Sequence, residues 1–384
     1  MKHIQVNLQT HFGGGEVYTA FLCRALSALG VSTTLFIHPR ARFWSALALP
    51  ADVRIEVADS FSTVARRLPD GPGWLLGHGP LPPALLAAAQ KKNWLATAIA
   101  HMPVQGRNPR AFDHHDQVFA VSGWVLDGLR AAQIPAWDAP LYGVAEIRRN
   151  TTATVIQRNS RYDWDRRKFR DRLLGWLEPI AELIAQTLRP ETEWTRRPGL
   201  TLGIVSRLTP IKQFPLLFSL LAPILAQHPD IHLEIFGSGG YASVRDVRRA
   251  LQPLGDRVRF WGHQSDVTTV YKNIDYLLTG LPEKEALGLN IIEAQACGTP
   301  VLAVAAPPFT ETVLEGATGF FYRDPREDRG VDFAQLLQRM QKLDAPLSPQ
   351  NARAHLEKFS FDAFVERLRP VVAWAQAKTK TQTS

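Results

Sequence analysis

Short apolar runs alternate with amphipathic helical patterns along most of the chain. In the first part a strand is expected from His3, a helix from Glu16 to Leu29 and a strand from Thr33 to Ile37, with further strands near Trp74, Leu95 and Gln117. The second part repeats the rhythm, with strands at Leu200 to Val205, His232 to Phe236, Arg257 to Phe260, Tyr276 to Thr279 and Pro300 to Ala303 and helices between them. Such alternation builds parallel sheets covered by helices, so the pattern predicts an α/β protein of two doubly wound domains. From Asn150 to Pro198 the rhythm breaks, with few strand signals, much Arg and Trp, and one long helical pattern. There Phe169, Leu173, Trp176, Leu177, Ile180, Leu183, Ile184 and Leu188 recur at helical spacing, while Arg167, Arg170, Asp171, Glu178 and Glu182 take the other side. The expected organisation is a first domain over 1–198 that includes this basic, Trp-rich insertion, a second over 199–360, and a final helix from Phe361 to Gln376 followed by a polar tail that frays after Ala377.

A chain of 384 residues suits two domains, and 45% hydrophobic with 21% charged residues is globular composition that excludes disorder. A formal net charge of +8 favours anionic partners, which leaves nucleic acid, anionic lipid and phosphorylated small molecules open. The two cysteines, Cys23 and Cys297, lie far apart in apolar helical contexts, which reads as packing rather than a disulfide or metal site. Met1-Lys-His-Ile-Gln-Val-Asn-Leu8 lacks the apolar run of a signal peptide, and the longest apolar stretches are interrupted by Pro, Gly or charge. A cytoplasmic protein is therefore expected, with any membrane contact peripheral at the inner face. For the basic helix of the insertion two readings stand: burial of its stripe against a domain, or a seat on an anionic bilayer with Trp164 and Trp176 at headgroup depth.

Open doubly wound sheets bind ligands at the carboxyl ends of their strands, so the polar residues just after strands carry the candidate chemistry. Val205-Ser-Arg207-Leu-Thr-Pro-Ile-Lys212 delivers two cations after one strand, which suits the charge that develops on a departing diphosphate; two solvated surface cations are the plainer reading. Phe236-Gly237-Ser-Gly239-Gly240 allows either close backbone approach to a ligand or a tight turn. Trp261-Gly262-His263-Gln264 offers polar groups to a nucleobase. In Glu285-Ala-Leu-Gly288-Leu289-Asn290-Ile-Ile-Glu293 a strand has ended, a Gly-containing turn opens a helix, and two carboxylates stand eight residues apart. Free helix N–H groups can meet a phosphate there, and carboxylates accept paired hydrogen bonds from the vicinal hydroxyls of ribose and hexose. The order of these loops, closed by Gly298-Thr-Pro300, favours the ligand reading over a helix with surface glutamates.

In the first half, Gly13-Gly14-Gly15-Glu16 lies between a strand and a helix but lacks the third glycine of a dinucleotide fingerprint, and Thr34-Leu-Phe-Ile-His38 lacks its acidic residue, so a nicotinamide enzyme is not expected. Flexible glycines there suit a donor phosphate or an acceptor hydroxyl. His101, after a strand, can hydrogen-bond a sugar hydroxyl, whereas His11, His114 and His115 read as structural and no metal-ligand pattern occurs.

The sequence here resembles the nucleotide-sugar glycosyltransferases of family 4, on the motif Glu285 through Val301 with its Cys297-Gly-Thr-Pro300 turn, and on Arg207 and Lys212. Ala286 and Leu287 stand where that family usually has Gly and Phe, and Ser206 where it often has Gly. More loosely, Gly13 to Glu16 look like its acceptor-side glycine loop, Ser122-Gly-Trp-Val125 like an interdomain strand–helix junction, and Tyr142-Gly-Val144 like the end of its first domain. The resemblance implies the GT-B fold, two facing Rossmann-like domains with a C-terminal helix returning to the first. It further implies a retaining transferase in which Glu285 faces the sugar, Glu293 the ribose, Arg207 and Lys212 the diphosphate, with Gly288 to Asn290 in backbone contact with the donor and His101 among the reacting groups; the strand-end loops add Gly237, Gly239 and His263 to the donor side. The implied partners are a nucleotide-diphosphate sugar and a saccharide or glycolipid acceptor of cell-surface polysaccharide or lipopolysaccharide synthesis, with no metal cofactor and no nucleic acid. A GT-B phosphorylase or sugar-nucleotide epimerase is the alternative enzyme, and a basic nucleic-acid-binding protein, without a recognition motif, the distant one.

Overall fold

The computed structural model describes residues 1–145, 155–160, 162–164, 169, 171–177, 193–343 and 345–381. The chain forms two compact units: Met1–Glu146 with Glu285–Leu289 and Glu357–Ser384, and Ile147–Lys284 with Asn290–Leu356. The first holds strands β1 (Lys2–Asn7), β2 (Thr34–Ile37), β3 (Arg54–Val57), β4 (Gly73–Gly77), β5 (Trp94–Ala100) and β6 (Gln117–Ala120), with helices α1 (Gly14–Ala28), α2 (Phe61–Arg67), α3 (Pro83–Lys91) and α4 (Gly123–Ala131). Among the described residues its strands are ordered β3-β2-β1-β4-β5-β6, and every pairing is parallel. This is the doubly wound order, whose switch point lies between the first and fourth strands.

Helix α1 buries Tyr18, Phe21, Leu22, Ala25 and Leu26, a three-and-four spacing that presents one apolar stripe. The last helix of the chain (Phe361–Thr381) joins the same core through Phe364, Leu368, Val371, Val372 and Ala375, with the Phe21 and Phe364 rings 5.0 Å apart at 80°. Each fully buried side chain of this size contributes about 2 kcal/mol, so the returning helix is part of the first core rather than an appendage. It runs past the expected fraying point to Thr381, because Thr379 is itself buried.

The second unit carries β7 (Leu200–Val205), β8 (Ile231–Phe236), β9 (Val258–Gly262), β10 (Tyr276–Leu278), β11 (Val301–Val304) and β12 (Gly319–Tyr322). Between and after them lie α5 (Phe214–Ala226), α6 (Tyr241–Ala250), α7 (Val267–Lys272), α8 (Leu289–Ala296), α9 (Phe309–Thr312), α10 (Pro325–Asp328), α11 (Val331–Met340) and α12 (Arg353–Glu357); the final helix, Phe361–Thr381, is α13. The strand order β12-β11-β10-β7-β8-β9 is the order of the first sheet read from its other edge. Helix α5 buries Phe214, Leu217, Phe218, Leu221, Ala222 and Leu225 along one face.

The expected first domain ended at Pro198, whereas the described parts of 155–198 belong to the second unit. Ile156 is buried in the second core, Gln157 pairs antiparallel with Glu193, and Trp194 N donates to Ile156 O at 2.8 Å. Of the expected amphipathic helix, residues 171–177 are helical. Ile180, Leu183, Ile184, Leu188, Arg167, Arg170, Glu178 and Glu182 lie outside the described residues.

Candidate active site

In the second sheet the switch point falls between β7 and β10, and the loops at the carboxyl ends of β7, β8 and β10 are tied to one another. Ser206 N donates to Phe236 O at 3.1 Å and Leu208 N to Ser238 O at 2.8 Å, which pins the residues on either side of the exposed Arg207. Lys212 ends the short turn Pro210–Lys212, and Gln213 follows in the left-handed region at φ 53° to start α5.

The same pinning explains the glycines of the β8 loop. A Cβ on Gly237 would stand 1.9 Å from Ser206 O, and one on Gly239 2.1 Å from Leu208 O, whereas one on Gly240 would meet nothing within 4 Å. At Gly237 and Gly239, read as admitting either a ligand or a tight turn, the space a Cβ would need is filled by the chain's own backbone.

Helix α8 begins at the β10 side of the switch point. Gly288 precedes it at φ 84°, a left-handed turn that an L side chain resists. The Asn290 side chain donates to Val205 O at 3.1 Å and so ties the first turn of the helix to the last residue of β7. Glu293 Oε2 accepts from the Tyr271 hydroxyl at 3.0 Å. Tyr271 is buried on α7, and burial first, then the nearby Glu293 carboxylate, holds its hydroxyl well above the usual phenol range, so it remains a donor. Thr299, in the turn that closes α8, donates to Tyr271 O at 2.7 Å. Arg207, Lys212, Asn290 and Glu293 therefore belong to one unit, and Glu285, half-buried, belongs with Gly288 and Leu289 to the stretch grouped with the other.

His263 is exposed at the end of β9, with its carbonyl accepting from the Asn159 amide at 3.1 Å. Residues 155–160 and 162–164 overlie the ends of β8 and β9. Asn159 N donates to Trp261 O at 2.8 Å, and a Cβ on Gly262 would fall 2.3 Å from Ser160 O. Tyr162 bridges to Gly239, Asp163 N donates to Gly239 O at 2.9 Å, and the Ser238 hydroxyl donates to the Asp163 carboxylate. Sequence reasoning gave Asn159, Tyr162 and Asp163 no role, since no motif marks them.

In the first unit the polar residues also gather at the carboxyl ends of strands that flank the switch point. Glu16 is buried in the first turn of α1, with Asn7 Nδ2 3.5 Å from its Oε1. Gly13 has extended geometry at φ −171°, which any residue adopts, and a Cβ on Gly15 would meet nothing within 4 Å. His101 follows β5. Its Nε2 lies 3.1 Å from Nδ1 of His78, which follows β4, and the two rings stack at 5.3 Å and 13°. The Tyr18 ring meets His101 edge-on at 4.9 Å. Burial pushes His101 down to about 4 and His78 well below the usual imidazole range, the latter helped by the neighbouring His101 and His3, so both rings are neutral near pH 7. His115 is structural: its Nε2 accepts from Leu81 N at 3.0 Å and its Nδ1 faces Phe112 O at 3.0 Å. Among the described residues no group of three His, Cys, Asp or Glu is placed to hold a metal ion.

Residues 193–351 match the model of the family "Glycosyl transferases group 1". This stretch, 193–351, is similar to group 1 glycosyl transferase domains. It contains β7 to β12, Arg207, Lys212 and the Glu285–Glu293 motif. A D-inositol 3-phosphate glycosyltransferase of Segniliparus rotundus is 29% identical to the chain over 174 residues, 43% of this chain and 38% of that protein. Another, of Geodermatophilus obscurus, is 26% identical over 408 residues, 93% of this chain and 83% of that protein. The crystal structure of Anabaena Alr3699/HepE in complex with UDP and glucose superposes with a TM-score of 0.66 at 16% identity, covering 97% of this chain and 99% of that one. The chain has the GT-B fold.

Proposed function

We propose that the protein is a glycosyltransferase that moves a sugar from a nucleotide-diphosphate donor to a hydroxyl of a saccharide or lipid-linked saccharide, with retention of configuration, in cell-surface polysaccharide or lipopolysaccharide synthesis. One observation carries the reading: at the β7/β10 switch point of a group 1 domain, the Arg207–Lys212 loop is tied through Val205 O to Asn290 on helix α8, which also bears Glu293. As the bond from the anomeric carbon to the diphosphate breaks, Arg207, Lys212 and the backbone N–H groups at the start of α8 meet the charge left on the diphosphate. That set is cationic without a metal, so the transfer runs in the presence of a chelator. Glu293 takes the ribose hydroxyls, Glu285 the transferred sugar and His101 the acceptor hydroxyl, whose oxygen bonds to the anomeric carbon as its proton passes to His101. The names of the relatives support an acceptor carrying inositol phosphate or a related lipid headgroup. Phe169 and Trp176, 72% and 71% exposed, support peripheral contact with an anionic bilayer at the cytoplasmic face.

The test is transfer from radiolabelled UDP-, GDP- and ADP-sugars to lipid and saccharide acceptors by the parent and Glu285→Gln proteins. The parent is expected to label an acceptor and the variant to lose at least about a hundredfold in rate while still binding the nucleoside diphosphate. Release of sugar phosphate, or equal rates for the two proteins, would refute the assignment.

A further inference from the structure

His78 lies outside every motif, yet it stands at the centre of a hydrogen-bonded chain in the first unit. Gln5 directs its amide nitrogen to Cys23 Sγ at 3.5 Å and its carbonyl oxygen to His78 Nε2 at 2.8 Å. A carbonyl oxygen only accepts, so His78 Nε2 carries the proton and Nδ1 holds the lone pair. That lone pair faces His101 Nε2 at 3.1 Å. The Thr19 hydroxyl is as close, at 3.1 Å, but Thr19 accepts from Asn7 Nδ2 at 2.9 Å and donates to Gly15 O at 2.8 Å, which commits its single proton elsewhere. The proton between the rings therefore comes from His101 Nε2, and Nδ1 of His101 is left as the acceptor nitrogen.

We propose that His78 is a positioning residue that fixes the tautomer of His101, so that His101 offers Nδ1 as an acceptor for the hydroxyl of the incoming sugar. This deepens the glycosyltransferase reading and rests on it for the identity of the hydroxyl. The polarity runs from His101 through His78 and Gln5 to Cys23. Gln5 is fully buried, and burial holds the Cys23 thiol up at about 12, so the chain ends on a neutral thiol whose sulfur accepts from Gln5. The parallel stacking of the imidazoles at 13° and the edge-on Tyr18 ring leave His101 little freedom to rotate. A wrong tautomer on a base is costly in general because it presents a donor where an acceptor is needed.

The full chain is labelled with ¹⁵N-histidine and the imidazole nitrogens are read by NMR, with rings assigned from the spectra of His78→Asn and His101→Asn. In the parent, His101 is expected to carry its proton on Nε2 and to stay neutral from pH 8 to pH 5.5. His78→Leu removes the acceptor: His101 should then populate both tautomers, and kcat for transfer should fall at least about tenfold with KM for the donor unchanged. His78→Asn keeps an acceptor oxygen at the Nδ1 position and should recover most of that loss together with the single tautomer. A parent His101 protonated on Nδ1, or a His78→Leu protein with the parent's tautomer and kcat, would overturn the proposal. The NMR result does not depend on turnover, so an intact tautomer in a protein that transfers no sugar would sink the enzymatic reading and leave the positioning by His78 standing.

Discussion

A carboxylate that accepts hydrogen bonds from a vicinal diol does so well only when its plane is held, and Glu293 is held by the Tyr271 hydroxyl at 3.0 Å. Tyr271→Phe removes that donor with little change in volume. Nucleoside diphosphate binding is expected to weaken about five- to tenfold, the worth of one such hydrogen bond, and calorimetric titration measures it. An unchanged dissociation constant would show that Glu293 is oriented by something else. The β8 loop gives a second residue-scale contrast. Gly237→Ala drives a Cβ to 1.9 Å from Ser206 O at a φ of 147°, whereas Gly240→Ala meets open space at φ −59°. Urea unfolding should register a loss above about 2 kcal/mol for the first and a change within about 0.5 kcal/mol for the second. At this scale the sequence told much: glycines after a strand do mark a close backbone approach. It could not tell that the approaching backbone is that of Ser206 and Leu208, because that depends on the register of β7 against β8.

At the scale of elements, β8 shows how far periodicity reaches. Ile231-His-Leu-Glu-Ile-Phe236 alternates as a strand should, and by alternation alone Glu234 faces solvent. It is instead 1% exposed, accepting from Arg259 Nε at 2.9 Å, from Arg197 at 3.1 Å and from the Trp261 indole at 2.6 Å. Arg259 continues to Thr195 O at 2.8 Å, so the network fastens the chain entering β7 to β8 and β9. Glu234→Leu would strand two guanidinium groups in or near the core and should cost about 3 to 5 kcal/mol in urea unfolding; a loss below about 1 kcal/mol would mean the arginines find other partners. The strand β1 behaves alike, with His3, Gln5 and Asn7 all buried. Alternation reveals which residues share a face, and in a central parallel strand both faces are covered, so polar residues there form networks instead of meeting water. The strands absent from the sequence reading are the sheet edges β3 and β12. Ile55 and Val57 of β3 are 43% and 49% exposed, and a four-residue edge strand that buries so little leaves a weak signal.

At the scale of the whole molecule, the buried neutral histidines make folding depend on pH. Burial lowers His3 to about 3 and His101 to about 4, whereas in the unfolded chain both titrate near the ordinary 6.5. The unfolded state therefore binds more protons below pH 6.5, and stability falls as pH drops from there toward 4. Each ring contributes up to about 1.4 kcal/mol per pH unit within that window. Urea midpoints measured from pH 7.5 to 4.5 should decline, and His3→Gln should flatten the decline; parallel curves for the two proteins would remove His3 from the account. No described helix is long and apolar enough to cross a membrane.

The local pattern by itself determined two parallel α/β sheets, the glycine and cation loops at strand ends, and the Glu285–Glu293 spacing at the start of a helix, because strand and helix periodicities and turn chemistry are properties of neighbouring residues. Tertiary structure alone decided that 155–160 and 162–164 join the second unit over the ends of β8 and β9, that Tyr271 holds Glu293, and that His78 meets His101. Those contacts join residues 22 to more than 70 positions apart, and only the strand order of each sheet brings them within hydrogen-bonding distance.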